Sequence, residues 1–203
     1  MRYRLITQTR SVKKRFLILC EGGKTEPGYF NAIRNDKMHS NALSALRIVV
    51  HDTKYNTAKE LVAEAIGKIK EAKKEKNPFD EVWIVVDRDG YTKHPESFDR
   101  ARANGIHIAF SSTCFEFWTL LHFEYTSRSF NNCDDVIRRL KQHLPDYEKS
   151  VDYYPVLKRY TEQAIQRSEQ IVAHWSEVGD GRIWTYNPYS DVGFLVKRLL
   201  ALA

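Results

Sequence analysis

Long apolar runs are missing from this sequence. No stretch approaches the roughly 20 residues that a membrane span needs, and the N-terminal MRYRLITQTRSVKKR has neither the apolar centre nor the small-residue cleavage site of a signal peptide. The chain is therefore expected to stay in the cytosol. Cysteine is scarce: Cys20, Cys114 and Cys133 are an odd number set far apart, which argues against a disulfide framework and against a zinc cluster of closely paired ligands. Three reduced, buried thiols are the expectation. Only 9 glycines and 6 prolines occur in 203 residues, against 42% hydrophobic and 29% charged residues, which excludes disordered, collagen-like and low-complexity classes. That length suits one compact domain with a sizeable core.

Acids are absent from the first fifteen positions, which hold Arg2, Arg4, Arg10, Lys13, Lys14 and Arg15. Overall 32 Lys and Arg face 26 Asp and Glu, a net charge of +6, so the excess is carried by this arm and the remainder is balanced. Such an arm suits contact with backbone phosphates, and equally a solubilising terminus.

Beyond the arm, short apolar strands alternate with helical patterns. FLILC from Phe16 reads as a strand buried on both faces, and LRIVV at 46–50, EVWIVV at 81–86 and IHIAF at 106–110 read as further strands. Thr25, Glu26 and Pro27 open a helix through Arg34. Thr57 and Glu60 form a capping box ahead of Leu61, Val62, Ala65, Ile66 and Ile69, predicting a helix through Lys76. A third helix falls near 95–104. This order predicts an α/β fold: a four-stranded, mainly parallel sheet flanked by helices. Past Thr113 the periodicity becomes mostly helical, over FEFWTLLHF, 134–144, about 155–177 and 190–202, with an edge strand at RIWTY. The chain thus divides into a basic arm (1–15), an α/β core (16–113) and a mostly helical C-terminal part packed on it (114–203).

In open parallel sheets, ligands bind beyond the carboxyl ends of the strands. Glu21 follows the first strand, and Asp87 and Asp89 follow the third. Hard oxygen ligands in this pattern suit Mg2+ or Mn2+; an Asp there also caps helices or makes turns. Gly23-Lys24-Thr25 resembles the tail of a P-loop, but Ile18 stands where the motif's first glycine belongs, so no triphosphate loop is formed. Lys24 and Thr25 can still meet a phosphate at the helix start, and Arg88 lies between the two aspartates. Trp83, Phe117 and Trp118 fall within apolar periodic runs and read as core. On a helical FEFWTLLHF, Glu116 and His122 occupy different faces. Glu116, near the strand ends, is a candidate metal ligand or a helix-start charge, while His122 is expected to be packed in an aromatic core.

Glu after the first strand and Asp-x-Asp after the third resemble the Toprim fold of topoisomerases, primases and overcoming-lysogenization-defect nucleases. More particularly, LILCEGGKTEPGYF (17–30), VWIVVDRDG (82–90), CFEFWTLLHF (114–123) and NPYSDVGFLVKRL (187–199) resemble the blocks of the RloB-like, or AbiLii, family of phage-defence proteins. The family's usual Asn-Pro before the aromatic block is Ser112-Thr113 here. The resemblance implies a Mg2+-dependent (or Mn2+-dependent) Toprim-type nuclease acting beside an AAA-type ATPase partner. It places Glu21 as general acid or base, Asp87 and Asp89 on the metal, and Glu26 as a second acid at the same mouth. Lys24, Thr25, Arg88, Lys13, Lys14 and Arg15 would hold the phosphates of RNA, tRNA included, or DNA. Two other readings stand beside it: a metal-binding sensor or interaction subunit that does not cleave, and a small-molecule phosphohydrolase or phosphotransferase.

Overall fold

The computed structural model describes residues 14–36, 47–50, 57–88 and 94–202. Four parallel strands form its centre: β1 (Phe16–Cys20), β2 (Arg47–Val50), β3 (Glu81–Asp87) and β4 (Ile106–Ser112). A two-residue β5 (Tyr189–Ser190) adds antiparallel to β4, giving the order β2-β1-β3-β4-β5. Every residue of β1 is buried, as are Val82 to Val86 in β3, because helices cover both faces of the sheet. The fold class is the one the strand and helix alternation predicts.

Helix α1 (Thr25–Asn35) links β1 to β2, α2 (Ala58–Lys74) links β2 to β3, and α3 (His94–Ala103) links β3 to β4. The capping box of α2 forms as expected: the Glu60 N–H donates to Thr57 Oγ1 at 3.4 Å, and the Thr57 N–H donates to Glu60 Oε2 at 3.1 Å. Thr57→Ala should therefore cost about 1 kcal/mol, read as a lower urea midpoint with an unchanged slope. Gly105, past the end of α3, has φ +67°, a conformation open to glycine at little cost.

The C-terminal part supplies α4 (Glu116–Leu121), α5 (Cys133–Leu140), α6 (Tyr154–Leu157), α7 (Thr161–Val178) and α8 (Val192–Leu200). Helices α1, α4 and α6 meet around Tyr29, whose ring lies edge-on to Phe115 at 5.7 Å, Trp118 at 6.2 Å and Tyr154 at 5.8 Å. Trp83, Phe117 and Trp118 are core, as predicted. Among the described residues, no helix is long and apolar enough to cross a membrane.

Two expectations need correction. The helix expected over 155–177 is interrupted by a 3-10 turn at Lys158–Tyr160, which redirects the chain between α6, packed on α1, and α7, packed on α4 and α8. RIWTY is a 3-10 turn at Ile183–Thr185 rather than a strand, because Trp184 docks on Phe98 at 5.7 Å and Tyr186 stacks on Trp175 at 4.4 Å. The edge strand forms just after it, following the cis Asn187-Pro188 bond. Asp191 then secures this edge: its Oδ1 accepts the Phe110 N–H at 2.6 Å, and its own N–H donates to the Phe110 carbonyl at 3.1 Å.

Candidate functional site

Strands β1 and β3 are neighbours with Cys20 beside Val85, so the chain leaves both at the same end of the sheet. The Glu21 N–H continues the ladder by donating to the Val85 carbonyl at 3.0 Å, and Asp87 closes β3. Between these strands the connections turn away in opposite directions, β1 towards β2 and β3 towards β4, which leaves a crevice at the carboxyl ends. Glu26 reaches it from the first turn of α1 and Glu116 from the first turn of α4. Glu21, Glu26, Asp87 and Glu116 all line one cavity of about 380 Å3.

The carboxylates there are expensive in electrostatic terms. Burial, followed by the charges of Glu26, Glu116 and Glu21, pushes the Asp87 carboxyl well above its ordinary value, and the Phe115 N–H only partly opposes this. Asp87 Oδ1 is buried without a hydrogen-bond partner. Burial, then Glu116, also raises Glu26, against backbone N–H groups that include that of Gly22. Glu21 is better held, its Oε2 accepting the Asp87 N–H at 2.9 Å. An orphaned carboxylate oxygen among like charges fits a hard divalent cation, which would supply the missing positive partner. Glu21, Asp87 and Glu116 line the same cavity, although their ligand atoms do not close to within 4.8 Å of one another as a group of three.

Gly22 is required by close approach: a Cβ there would overlap the Glu26 carboxylate. Gly22→Ala should swing Glu26 out of the cavity and slow any reaction at this site by roughly 10- to 100-fold. The melting temperature should hold, because the displaced group is a flexible side-chain end. Activity and thermal unfolding on one preparation check both halves.

Two lysines, Lys24 and Lys149, line the same cavity. Lys24 is exposed at the N-cap position of α1 and lines the cavity. The Thr25 hydroxyl is engaged, donating to the Lys149 carbonyl at 2.6 Å. The Arg88 N–H donates to the Ser111 carbonyl at 2.9 Å, and its guanidinium reaches Ser112 Oγ at 3.5 Å. Lys149 and Tyr147, which the sequence reading missed, both contact Glu116 Oε1, at 3.4 Å and 3.2 Å. Nothing periodic in DYEKSVDYY marks them.

The structure does not bring the whole expected set together. Arg15 precedes β1, at the opposite end of the sheet, where its N–H donates to Asp80 at 2.6 Å and its guanidinium covers Phe79 at 4.7 Å. Lys14 is exposed beside it. Asp89 and Lys13 lie outside the described residues. His122 is buried away from the acids: Nδ1 faces the Trp118 carbonyl at 3.1 Å and Nε2 the Tyr29 hydroxyl at 3.3 Å, and burial lowers its pKa to about 4. It is neutral core, as expected.

The cysteine reading is corrected. Cys20 is a free, buried thiol, but Cys114 and Cys133 are joined in a disulfide with Cα atoms 5.6 Å apart. They stand 19 residues apart in sequence, yet α4 and α5 pack together with their N-terminal ends adjacent.

A family model described as RloB-like protein matches residues 16–199. No curated protein and no solved structure matches the chain.

Proposed function

The chain belongs to the RloB-like family, and from that membership and the acid-lined cavity we propose that it is a Mg2+- or Mn2+-dependent phosphodiesterase. The observation that carries this reading is the gathering of Glu21, Glu26, Asp87 and Glu116 in one cavity, with Asp87 Oδ1 unpartnered. The site resembles the acid centre of Toprim nucleases, with Asp89, two positions after Asp87 in the sequence, as a further ligand. Bound there, the cation would neutralise phosphate charge and stabilise the leaving oxygen.

The chain's own groups do the rest. Glu21, fixed by the Asp87 N–H, moves a proton at the scissile phosphate. Lys24, Lys149 and the N-terminal end of α1 receive backbone phosphates at the mouth. Arg88 stays close to the β4 end, where its guanidinium reaches Ser112 Oγ. The substrate on this reading is RNA, tRNA included, or DNA, and the biological setting is phage defence beside an AAA-type ATPase.

The test is cleavage of tRNA, single-stranded RNA, and linear and supercoiled DNA by the purified chain, with and without the ATPase, in Mg2+, Mn2+ or chelator. Cleavage of one substrate class that stops with chelator is expected. Metal-bound protein that cuts nothing in either setting would overturn the reading in favour of a non-cleaving sensor.

A further inference from the structure

Cys114, Glu116 and Cys133 each bring one ligand atom within 4.8 Å of the others, the one group of three to do so among the described residues. Cys114 and Glu116 are buried and Cys133 is half-buried, and all three line the acid cavity. The two oxygens of Glu116 are treated differently. Oε1 is answered by the Tyr147 hydroxyl and the Lys149 ammonium, whereas Oε2 lies 3.2 Å from Cys133 Sγ. In the disulfide that sulfur carries no proton, so a carboxylate only 2% exposed is held against an atom that cannot satisfy it.

Two sulfurs and a carboxylate converging on one point are a donor set for a borderline-soft cation, unlike the all-oxygen set of Glu21 and Asp87. We infer that Cys114, Cys133 and Glu116, with the cysteines reduced, form a Zn2+ site whose fourth position opens to solvent at the cavity mouth. Lys149 Nζ lies 3.5 Å from Cys133 Sγ and adds a positive charge beside it. Disulfide and metal exclude each other. A dithiol reductant delivers two electrons and two protons to the Cys114–Cys133 bond and closes its own disulfide; Zn2+ binding then releases both thiol protons to solvent. This inference needs nothing from the proposed nuclease reading.

Co2+ titration of the full chain tests it, with the protein reduced by a dithiol, freed of reductant and kept anaerobic. The expected result is a thiolate-to-cobalt charge-transfer band that saturates at one ion per chain and is erased by Zn2+. It should be absent from the oxidised protein and from Cys133→Ser, and present in Asp87→Asn. The oxidised wild type keeps the comparison intact should the serine variant fail to fold. Reduced protein without the band, or a band kept in Cys133→Ser and lost in Asp87→Asn, would overturn the site and place the cation among the carboxylates. Metal-dependent cleavage, scored separately with Mg2+, fails or succeeds independently of this band.

Discussion

Asp87→Asn is expected to lower metal-dependent cleavage by on the order of a thousandfold and, in metal-free protein, to raise the melting temperature. On the proposed function, activity falls because the variant removes a cation ligand at the junction of β1 and β3. Stability rises because this half-buried side chain holds Oδ1 buried and unpartnered and is repelled by Glu26, Glu116 and Glu21. An amide of the same shape keeps an acceptor for the Phe115 N–H and drops the charge. For a chain of this size each kcal/mol regained moves the midpoint by about 2–4 °C. Thermal unfolding in chelator, beside the cleavage assay, reads both effects; a variant that loses activity and stability together would mean that Asp87 serves the fold instead.

The second large effect is a coupling of metal and pH. Asp87 and Glu26 both bind protons more tightly folded than unfolded, each chiefly through burial. For a carboxyl raised in this way, the stabilising contribution is complete below the unfolded pKa and is lost as pH rises through the folded one. Metal-free protein should therefore weaken as pH climbs out of the ordinary carboxylate range. A divalent cation replaces those protons, so Mg2+ or Mn2+ should raise the melting temperature more at about pH 8 than at about pH 5. At a hundredfold excess over Kd the gain is about 2.7 kcal/mol. Melting curves over a pH series, with and without metal, check the sign; a metal effect independent of pH would mean that the cation binds away from these acids.

This site was partly legible in the sequence because two of its acids are written into strand ends. FLILC and EVWIVV fit short buried strands, and in a parallel sheet whatever follows them emerges at the ligand-binding end. Glu21 and Asp87 follow from that alone. Glu26 and Glu116 come from the first turns of helices whose starts the capping and charge pattern indicated. Lys149 was not legible, since its place depends on a bond between its carbonyl and Thr25, 124 residues away. The Cys114–Cys133 pair escaped for a related reason: spacing along the chain does not record that α4 and α5 begin side by side. Arg15 misled through its charge, which is spent at the far end of the sheet on Asp80 and Phe79. The two-residue β5 is too short to carry a period, and the aromatic residues of RIWTY, which look like strand residues, face α3 and α7.

The central claim is that the acids at the ends of β1 and β3 hold a divalent cation that the chain uses on phosphodiester bonds. Mn2+ binding followed by electron paramagnetic resonance, with cleavage scored on the same samples of wild type and Asp87→Asn, tests it most directly. The account predicts a bound Mn2+ and metal-dependent cleavage in the wild type, with both lost in the variant. Cleavage that survives Asp87→Asn, or that proceeds in chelator, would contradict it.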